Sequence, residues 1–403
     1  MRISRLIFNS SVVALAMLWG CKGFMGEKTD LSFIETPVQG NQESETYLPI
    51  LPALQGNGMI EPTDICSGYD QLIYVTDPKV GKVFCFDQAG RQLSDFSIPG
   101  AKAVIQDLRL NLLVIGTVDT TVGQTTYKLP AIFRLNLDNG GYGLRNARII
   151  KRMIHPFYFK SALSATDANV KLNDIAVFAD NSYLVTRSGN INIPTQFGGP
   201  DNTVLRFSKD DEWQGIVSVS TNQGTFSNYF QTPYSITTIA QPPIPPSTLV
   251  SNSKTFFVSM LEPNTTIKVQ AINEIQSESG TEYVLNTSFE SGDTSKADGF
   301  LYAANRFTQP MGLTYQYASA EYLFIVDAVK DSVYQFTKTG LEGVQPLPGA
   351  SRKKPIITSF GCRGSGPKQF NRPVGVATVG RTLYICDAGN GRILRYRLTR
   401  DME

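Results

Sequence analysis

Residues 361–398 read GCRGSGPKQFNRPVGVATVGRTLYICDAGNGRILRYRL, and this stretch decides the fold. A glycine-rich lead-in is followed by a short apolar run, a run of β-branched and aromatic residues that ends in Asp387, a tight turn, and a third run from Arg392. Short β-rich runs separated by Gly, Asn, Asp and Pro are typical of antiparallel strands joined by turns. The stretch therefore predicts three consecutive strands of one small sheet.

Further copies of this unit occur earlier in the chain. Clear copies span residues 62–90 and 310–340, and one with a long inserted loop begins at Asn173. Weaker copies begin near Val104 and at Pro233, which brings the total to six units. A unit of this size cannot bury both faces of its sheet alone, so the units must stack around an axis. We therefore predict an all-β fold, a β-propeller of six blades with four antiparallel strands each.

The spacing of the units predicts loops and a ring closure. Five steps separate Pro62 from Pro373, about 62 residues each, which exceeds the roughly 40–50 typical of propeller units. We assign the excess to loops, which we place at residues 187–203, 240–254 and 272–298. The last unit shows only three strands, so we expect a strand around Leu48–Leu54 to supply the fourth and to hide the sheet edges.

The stretch at 361–398 closely resembles the NHL repeat. That family's pattern is a glycine-rich loop, Phe, Pro, Gly-Val-Ala, Leu-Tyr-Val-x-Asp and then Asn-x-Arg-Ile, and Phe370, Pro373 and Asp387 stand at the matching positions. The copies at 62–90 and 310–340 match it moderately. The resemblance implies a propeller and agrees with the strand pattern.

The front of the chain reads as an export signal. Arg2 and Arg5 precede an apolar stretch that ends at Leu18. This stretch is shorter than the roughly 20 apolar residues that a membrane-spanning helix needs, and its length fits the apolar region of a signal peptide. The alternatives are an ordinary secretory signal and an uncleaved anchor.

The end of the signal, Leu18-Trp19-Gly20-Cys21, resembles the lipobox of bacterial lipoproteins, from which Trp19 departs. The resemblance implies that residues 1–20 are removed and that Cys21 carries diacylglycerol through a thioether. The acyl chains would hold the protein in a membrane, since each buried methylene contributes about 0.8 kcal/mol. Lys22 follows the Cys where Asp would favour inner-membrane retention, so the outer membrane, on its periplasmic or its surface-exposed face, is the expected location in the cell envelope.

Composition sets the domain organisation and the expected partners. Residues 1–20 are the predicted signal peptide, residues 21–47 a lipidated and flexible polar tether, and residues 48–403 the propeller. The chain has 37 basic and 35 acidic residues, and removal of Arg2 and Arg5 leaves 35 of each. A balanced charge lacks the basic excess of nucleic-acid binders, so no nucleic-acid partner is expected. The expected partners are the membrane, through the lipid, and a protein or a glycan.

Asn173 and Asp174 are the candidate metal ligands. Before a Val-containing strand, this pair resembles the Asn-Asp of gluconolactonase and SMP-30-type propellers, where Asn, Asp and Glu side chains bind a divalent cation. The resemblance implies that Ca²⁺ or Mg²⁺ could be held here, because both prefer oxygen ligands. The alternative is that the pair only begins a strand. We expect Asp77, Asp327 and Asp387, at the ends of second strands, to cap the following turns.

Other reactive residues give weaker signals. His155 is the only histidine, which argues against the three-ligand zinc sites of propeller lyases. Gly361, Gly364 and Gly366 lack the Lys and Ser or Thr of a phosphate-binding loop and are expected to serve a turn. Four cysteines beyond Cys21 allow three disulfide pairings, and they form either bridges near the ring closure or small buried apolar residues: Cys66, Cys85, Cys362 and Cys386.

The predicted function is a binding scaffold without catalytic activity. Rigid blades present variable loops on one face, and residues 226–233 and 242–246 are expected to form an apolar or aromatic patch there. The alternative is a divalent-cation-dependent lactonase of the gluconolactonase type, with Asn173 and Asp174 holding the cation in the axial channel. A role in envelope assembly is a third hypothesis, by fold analogy alone.

Overall fold

A computed structural model of the chain describes residues 45–122, 124–154, 169–189, 202–240, 242, 254–278, 280–289, 292–317 and 321–402. Cys21 and His155 lie outside the described residues. Residues from Glu45 onward form one compact unit. Within the described ranges, no helix is long and apolar enough to cross a membrane.

The strands form six sheets, which we number as blades 1 to 6 in chain order of their innermost strands. The first strand of the chain, β1 (Tyr47–Leu54), belongs to the last blade. Blade 1 contains β2 (Asp64–Ser67), β3 (Ile73–Asp77), β4 (Lys82–Phe86) and β5 (Gln92–Ser97). Blade 2 contains β6 (Ala103–Gln106), β7 (Leu112–Val122), β8 (Thr125–Asn136) and β9 (Arg148–Ile154). Blade 3 contains β10 (Lys171–Val177), β11 (Tyr183–Ser188), β12 (Thr203–Phe207) and β13 (Trp213–Ile216).

The remaining strands complete the ring. Blade 4 contains β14 (Val219–Thr221), β15 (Gly224–Phe226), β16 (Pro233–Thr238), β17 (Lys254–Met260), β18 (Val269–Ser277) and β19 (Gly280–Leu285). Blade 5 contains β20 (Pro310–Gln316), β21 (Tyr322–Asp327) and β22 (Ser332–Thr337). Blade 6 contains β23 (Pro373–Val379), β24 (Thr382–Asp387), β25 (Arg392–Leu398) and β1. Short 3-10 turns occur at Leu144–Asn146, Thr287–Phe289, Ala388–Asn390 and Thr399–Asp401.

The ring closes through the pairing that the sequence predicted. Strand β1 pairs antiparallel with β25, with Tyr47 opposite Leu398 and Leu48 opposite Arg397. Buried apolar side chains form five clusters, and each cluster joins neighbouring blades, including blade 6 to blade 1. Packing between blades therefore runs around the whole ring, and the predicted six-bladed all-β propeller is confirmed.

Blades 4 and 5 depart from the regular pattern. In blade 4, β14 pairs parallel with β19 and the short hairpin β14–β15 extends the sheet to six strands. Blade 5 has three regular strands, and irregular backbone covers its outer edge, where Gly343 N donates to Gln335 O at 2.7 Å. The prediction of a loop at residues 272–298 is wrong, because β18 continues to Ser277 and β19 follows it.

Two of the three turn aspartates behave as the sequence predicted. The fully buried Asp77 carboxylate accepts backbone N–H groups from Lys79 at 2.9 Å and from Ile60 at 2.6 Å. Asp327 accepts N–H groups of its own turn and of the preceding segment in the same way. The prediction is wrong for Asp387, which makes no cap hydrogen bond to the turn that follows it and accepts instead from Asn371 N at 2.7 Å and from Arg392 Nε at 2.8 Å.

The cysteines of the described chain are all free. Cys66, Cys85 and Cys386 are buried, and Cys362 is exposed. Burial raises the pKa of the Cys85 thiol to about 12 and that of the Cys66 thiol well above its usual range. The three buried residues therefore act as small apolar side chains, which was one of the two alternatives.

Candidate functional site

The innermost strand of each blade lines the propeller axis. These strands are β2, β6, β10, β16, β20 and β23, and each packs against the innermost strands of the two neighbouring blades. Because every blade repeats the same strand order, the innermost strands start at the same end of the axis. We call this end, formed by the residues at the starts of the innermost strands, the axial mouth.

Four of the six innermost strands at the axial mouth have an irregular register near their starts. In β10 the register shifts between Leu172 and Ile175, so that Asn173 and Asp174 lie within a β-bulge. Strand β16 shows the same shift between Pro233 and Ile236, and β20 and β23 have corresponding irregularities. A bulge re-aims side chains, which explains how consecutive residues such as Asn173 and Asp174 both contribute to the mouth.

Asn173 is fully engaged with protein groups. Its Oδ1 accepts a hydrogen bond from Lys102 Nζ at 2.6 Å. Its Nδ2 donates to Ser188 Oγ at 2.7 Å and to Pro233 O at 2.8 Å. The side chain is only 4% exposed. Asn173 therefore links blades 2, 3 and 4.

Asp174 connects the same region to blades 4 and 5. Its Oδ2 accepts from Ser235 Oγ at 2.7 Å and from Ile236 N at 2.9 Å, and its Oδ1 accepts from Ile175 N at 2.8 Å. The Ser235 hydroxyl in turn accepts from Leu313 N at 3.0 Å. Asp174 as a residue is half-buried, and both oxygens of its carboxyl group accept hydrogen bonds within the fold.

Asp64 in blade 1 is the counterpart of Asp174 in blade 3. Asp64 Oδ2 accepts from Val104 N of blade 2 at 2.8 Å, as Asp174 accepts from blade 4. The sequence analysis did not single out Asp64 or Lys102. A signal for Asp64 was present, because Thr63-Asp64-Ile65 aligns with Asn173-Asp174-Ile175 in the repeats. No comparable signal marked Lys102, which lies just before the weaker copy of the repeat that begins near Val104.

The two carboxyl groups and the lysine are electrostatically coupled. Burial, with the negative charge of Asp174 nearby, raises the pKa of Asp64 to about 8. Burial raises the pKa of Asp174 to about 6, against the hydrogen bonds from Ser235 and Ile236. Burial, together with the charge of Lys171, lowers the pKa of Lys102 to about 8. Burial therefore favours fewer charges in the mouth than three fully ionised groups would carry.

The residues present do not fit a divalent cation as they are arranged. Among the described residues, no three His, Cys, Asp or Glu side chains come together as a metal site. The Asn173 oxygen that would be a ligand already binds the Lys102 ammonium, and an ammonium repels a second cation at this distance. The assignment of Asn173 and Asp174 as Ca²⁺ or Mg²⁺ ligands stays a prediction.

The loop at residues 226–233 does not form the predicted apolar patch. Phe230 is 1% exposed and packs in the core between blades 3 and 4, with Tyr229 against it. Phe226 is 37% exposed. Pro242 is buried, and residues 243–246 lie outside the described chain. Most of the aromatic surface in this loop therefore stabilises blade packing.

The strand order and the closure of the ring define the class of protein as a six-bladed β-propeller. No protein-family model and no curated protein matches the sequence. Among solved structures, the chain is similar to an auxiliary nutrient binding protein from Bacteroides thetaiotaomicron, with 11% identity, a TM-score of 0.49, and coverage of 89% of this chain and 77% of that one. It is also similar to an aldose sugar dehydrogenase from Streptomyces coelicolor, with 11% identity, a TM-score of 0.47, and coverage of 88% and 99%. A virginiamycin B lyase from Staphylococcus aureus matches with 11% identity, a TM-score of 0.39, and coverage of 88% and 99%.

Proposed function

We propose that this propeller is the binding domain of a lipid-anchored bacterial envelope protein and that its axial mouth binds a glycan. The observation that carries the proposal is the combination of half-buried Asp64, Lys102 and Asp174 with the ring of Tyr234. The Lys102 ammonium lies 5.0 Å from the centroid of that ring. Binding sites for small ligands combine a few oriented polar groups with apolar or aromatic surface.

Sugar hydroxyls both donate and accept hydrogen bonds, and the mouth offers both functions. An ammonium such as that of Lys102 is a donor, a carboxylate is an acceptor, and the raised pKa values of Asp64 and Asp174 also favour a protonated carboxyl group, which can donate. Tyr234 adds an aromatic surface for the apolar face of a sugar ring. Four blades contribute these groups, so a ligand of more than one sugar unit could contact several of them together.

Binding is tested with the full-length protein in detergent, against an array of neutral and acidic oligosaccharides and then by calorimetry. We expect Lys102→Met to weaken binding by about tenfold or more, since a hydrogen bond to a charged group contributes roughly 1.5–3 kcal/mol. The matched control is Lys128→Met, which removes an exposed lysine from the β7–β8 hairpin. Equal affinities for both variants would refute the axial mouth as the binding site.

The anchor is a separate part of the proposal. It is supported by the Leu18-Trp19-Gly20-Cys21 motif and by the polar composition of residues 22–47. We expect wild-type protein to fractionate with bacterial membranes and to incorporate labelled palmitate, and Cys21→Ser to lose both properties. Soluble, unlabelled wild-type protein would contradict lipidation and would leave the glycan site unaffected.

A second candidate function is a lactone hydrolase of the gluconolactonase type. It is favoured by the coupled Asp64 and Asp174, whose pKa values of about 8 and about 6 suit an acid and a base near neutral pH. The test is hydrolysis of sugar lactones followed with a pH indicator, with and without Ca²⁺ or Mg²⁺. Cation-dependent turnover that Asp64→Asn abolishes would support this function over the scaffold.

A further inference from the structure

Oxygen-bearing side chains of two neighbouring blades surround the same lysine. Lys102 enters from blade 2, and its Nζ lies 2.6 Å from Asn173 Oδ1 of blade 3. The Lys102 charge also favours the ionised forms of Asp64, from blade 1, and of Asp174, from blade 3. One amide oxygen and two carboxyl groups are the kind of oxygen ligands that Ca²⁺ and Mg²⁺ prefer. The structure places an ammonium on the amide oxygen instead.

The contacts of the Lys102 ammonium favour a positive charge at this position. Its Nζ donates to Asn173 Oδ1. The Tyr234 ring, 5.0 Å from Nζ, further favours a cation at this place.

The backbone at Lys102 is held independently of its side chain. Lys102 O accepts hydrogen bonds from Thr63 Oγ1 at 2.9 Å and from Thr76 Oγ1 at 2.8 Å. Strand β6 is also fixed to blade 1 through Val104 N and Asp64. Removal of the side chain should therefore leave the position of the strand unchanged.

We propose that the Lys102 ammonium takes the place of a divalent cation in this propeller, so that the native mouth binds no Ca²⁺ or Mg²⁺. Removal of the ammonium converts Asp64, Asn173 and Asp174 into a divalent-cation site. The native mouth consequently binds ligand oxygen atoms through the ammonium, with no bridging metal ion. This inference does not depend on glycan binding, because the cation alone is the probe.

The experiment is calorimetric titration of CaCl₂ into the full-length protein in detergent, followed by thermal unfolding at the same concentrations. We expect no saturable binding by wild type up to about 10 mM, and a Kd of about 10⁻⁴–10⁻³ M for Lys102→Ala, in the range of extracellular calcium modules. Ca²⁺ should raise the Tm of Lys102→Ala and leave that of wild type unchanged, since a ligand stabilises only the state that binds it. Asp64→Asn added to Lys102→Ala should remove the Ca²⁺ effect.

The control is Lys128→Ala, which removes the same charge from an exposed position and should gain no Ca²⁺ binding. Lys102→Met, which keeps an aliphatic stem, replaces Lys102→Ala if the smaller side chain destabilises the fold. Saturable Ca²⁺ binding by wild type with a Kd below 1 mM (a limit set by the same range) would overturn the inference and support the cation-dependent hydrolase. A folded Lys102 variant without Ca²⁺ binding would also overturn it.

Discussion

The inner ring of the propeller joins its blades in two different ways. Side chains join the innermost strands of blades 1 to 5. Asp64 accepts from Val104 N, Asp174 from Ile236 N, and Ser235 from Leu313 N, and between blades 2 and 3 the Lys102 ammonium donates to the Asn173 side chain. We call this region the polar arc. From blade 5 through blade 6 to blade 1, glycines stand at the corresponding places, and we call this region the glycine arc.

The glycine arc depends on close backbone contact. A Cβ atom on Gly312 of blade 5 would lie 2.6 Å from Val374 O of blade 6. One on Gly375 would lie 3.1 Å from Asp64 Cα of blade 1. Both arcs satisfy the same requirement, that the innermost strands approach closely. The glycine arc adds the ion pair of Arg372, before β23, with Glu61, before β2, whereas the candidate binding groups Asp64, Lys102 and Asp174 belong to the polar arc.

The largest expected effect comes from filling the glycine arc. Gly312→Ala places a methyl group against backbone, where no side chain can move aside, and should lower the free energy of unfolding by about 3 kcal/mol or more. Chemical denaturation measures the loss. The control is Gly292→Ala, where a Cβ would meet no atom within 4 Å. Equal stability of the two variants would show that the glycine arc is loosely packed.

The second-largest effect on stability is expected at Asp174, which links blade 3 to blade 4. Asp174→Ala leaves Ile236 N and the Ser235 hydroxyl without their acceptor, which should cost about 2–3 kcal/mol of unfolding free energy. The exposed Asp119 on β7 provides the control, and Asp119→Ala should change stability by less than about 0.5 kcal/mol. If Asp174→Ala is as stable as wild type, the carboxylate does not hold blade 4 in place.

A smaller effect compares the interface between blades 1 and 2 with the interface between blades 3 and 4. Thr76 Oγ1 donates to Lys102 O at 2.8 Å, and Thr186 Oγ1 donates to Tyr234 O at 2.5 Å. Thr76→Val and Thr186→Val should each lower the free energy of unfolding by about 1 kcal/mol, the usual value for one hydrogen bond. Clearly unequal losses would indicate that the two hydrogen bonds do not stabilise the fold equally.

A separate test of the polar arc is the pH dependence of stability. The pKa of Asp64 is about 8 in the folded protein and about 3.9 in an unfolded chain, so the folded state retains a proton that the unfolded state loses. The stability of wild type should therefore fall as pH rises from about 4 to about 8. In Asp64→Asn this contribution is absent, and urea denaturation at several pH values should show a shallower slope. Parallel slopes would contradict the raised pKa.

The sequence predicted the fold well because each clear repeat carries its own turn chemistry. Asp77 and Asp327 cap the turns that follow their strands, and the strand at Leu48–Leu54 was required by a sheet that lacked its fourth member. The outer strands of blade 4 were missed because an edge strand can be polar: Gln276 and Ser277 are exposed, so their composition resembled a loop.

The candidate site was only half predictable. Asn173 and Asp174 stood out by resemblance, and comparison of the repeats could have added Asp64. Lys102 could not be inferred, because its role depends on a contact 71 positions away in the chain. What the Asn-Asp pair binds therefore depends on Lys102, a residue of another blade that is not part of the Asn-Asp motif.

Because β1 pairs with β25, the ring can close only after both strands have been synthesised. Strand β1 is synthesised first and its partner last, about 340 residues later. At roughly 5–20 residues per second, β1 waits on the order of 20 to 70 s before β25 exists. Until β25 pairs with β1, the ring of blades stays open. Pairing of β25 with β1 is thus the final step of assembly, and loss of β25 alone would prevent closure of the ring.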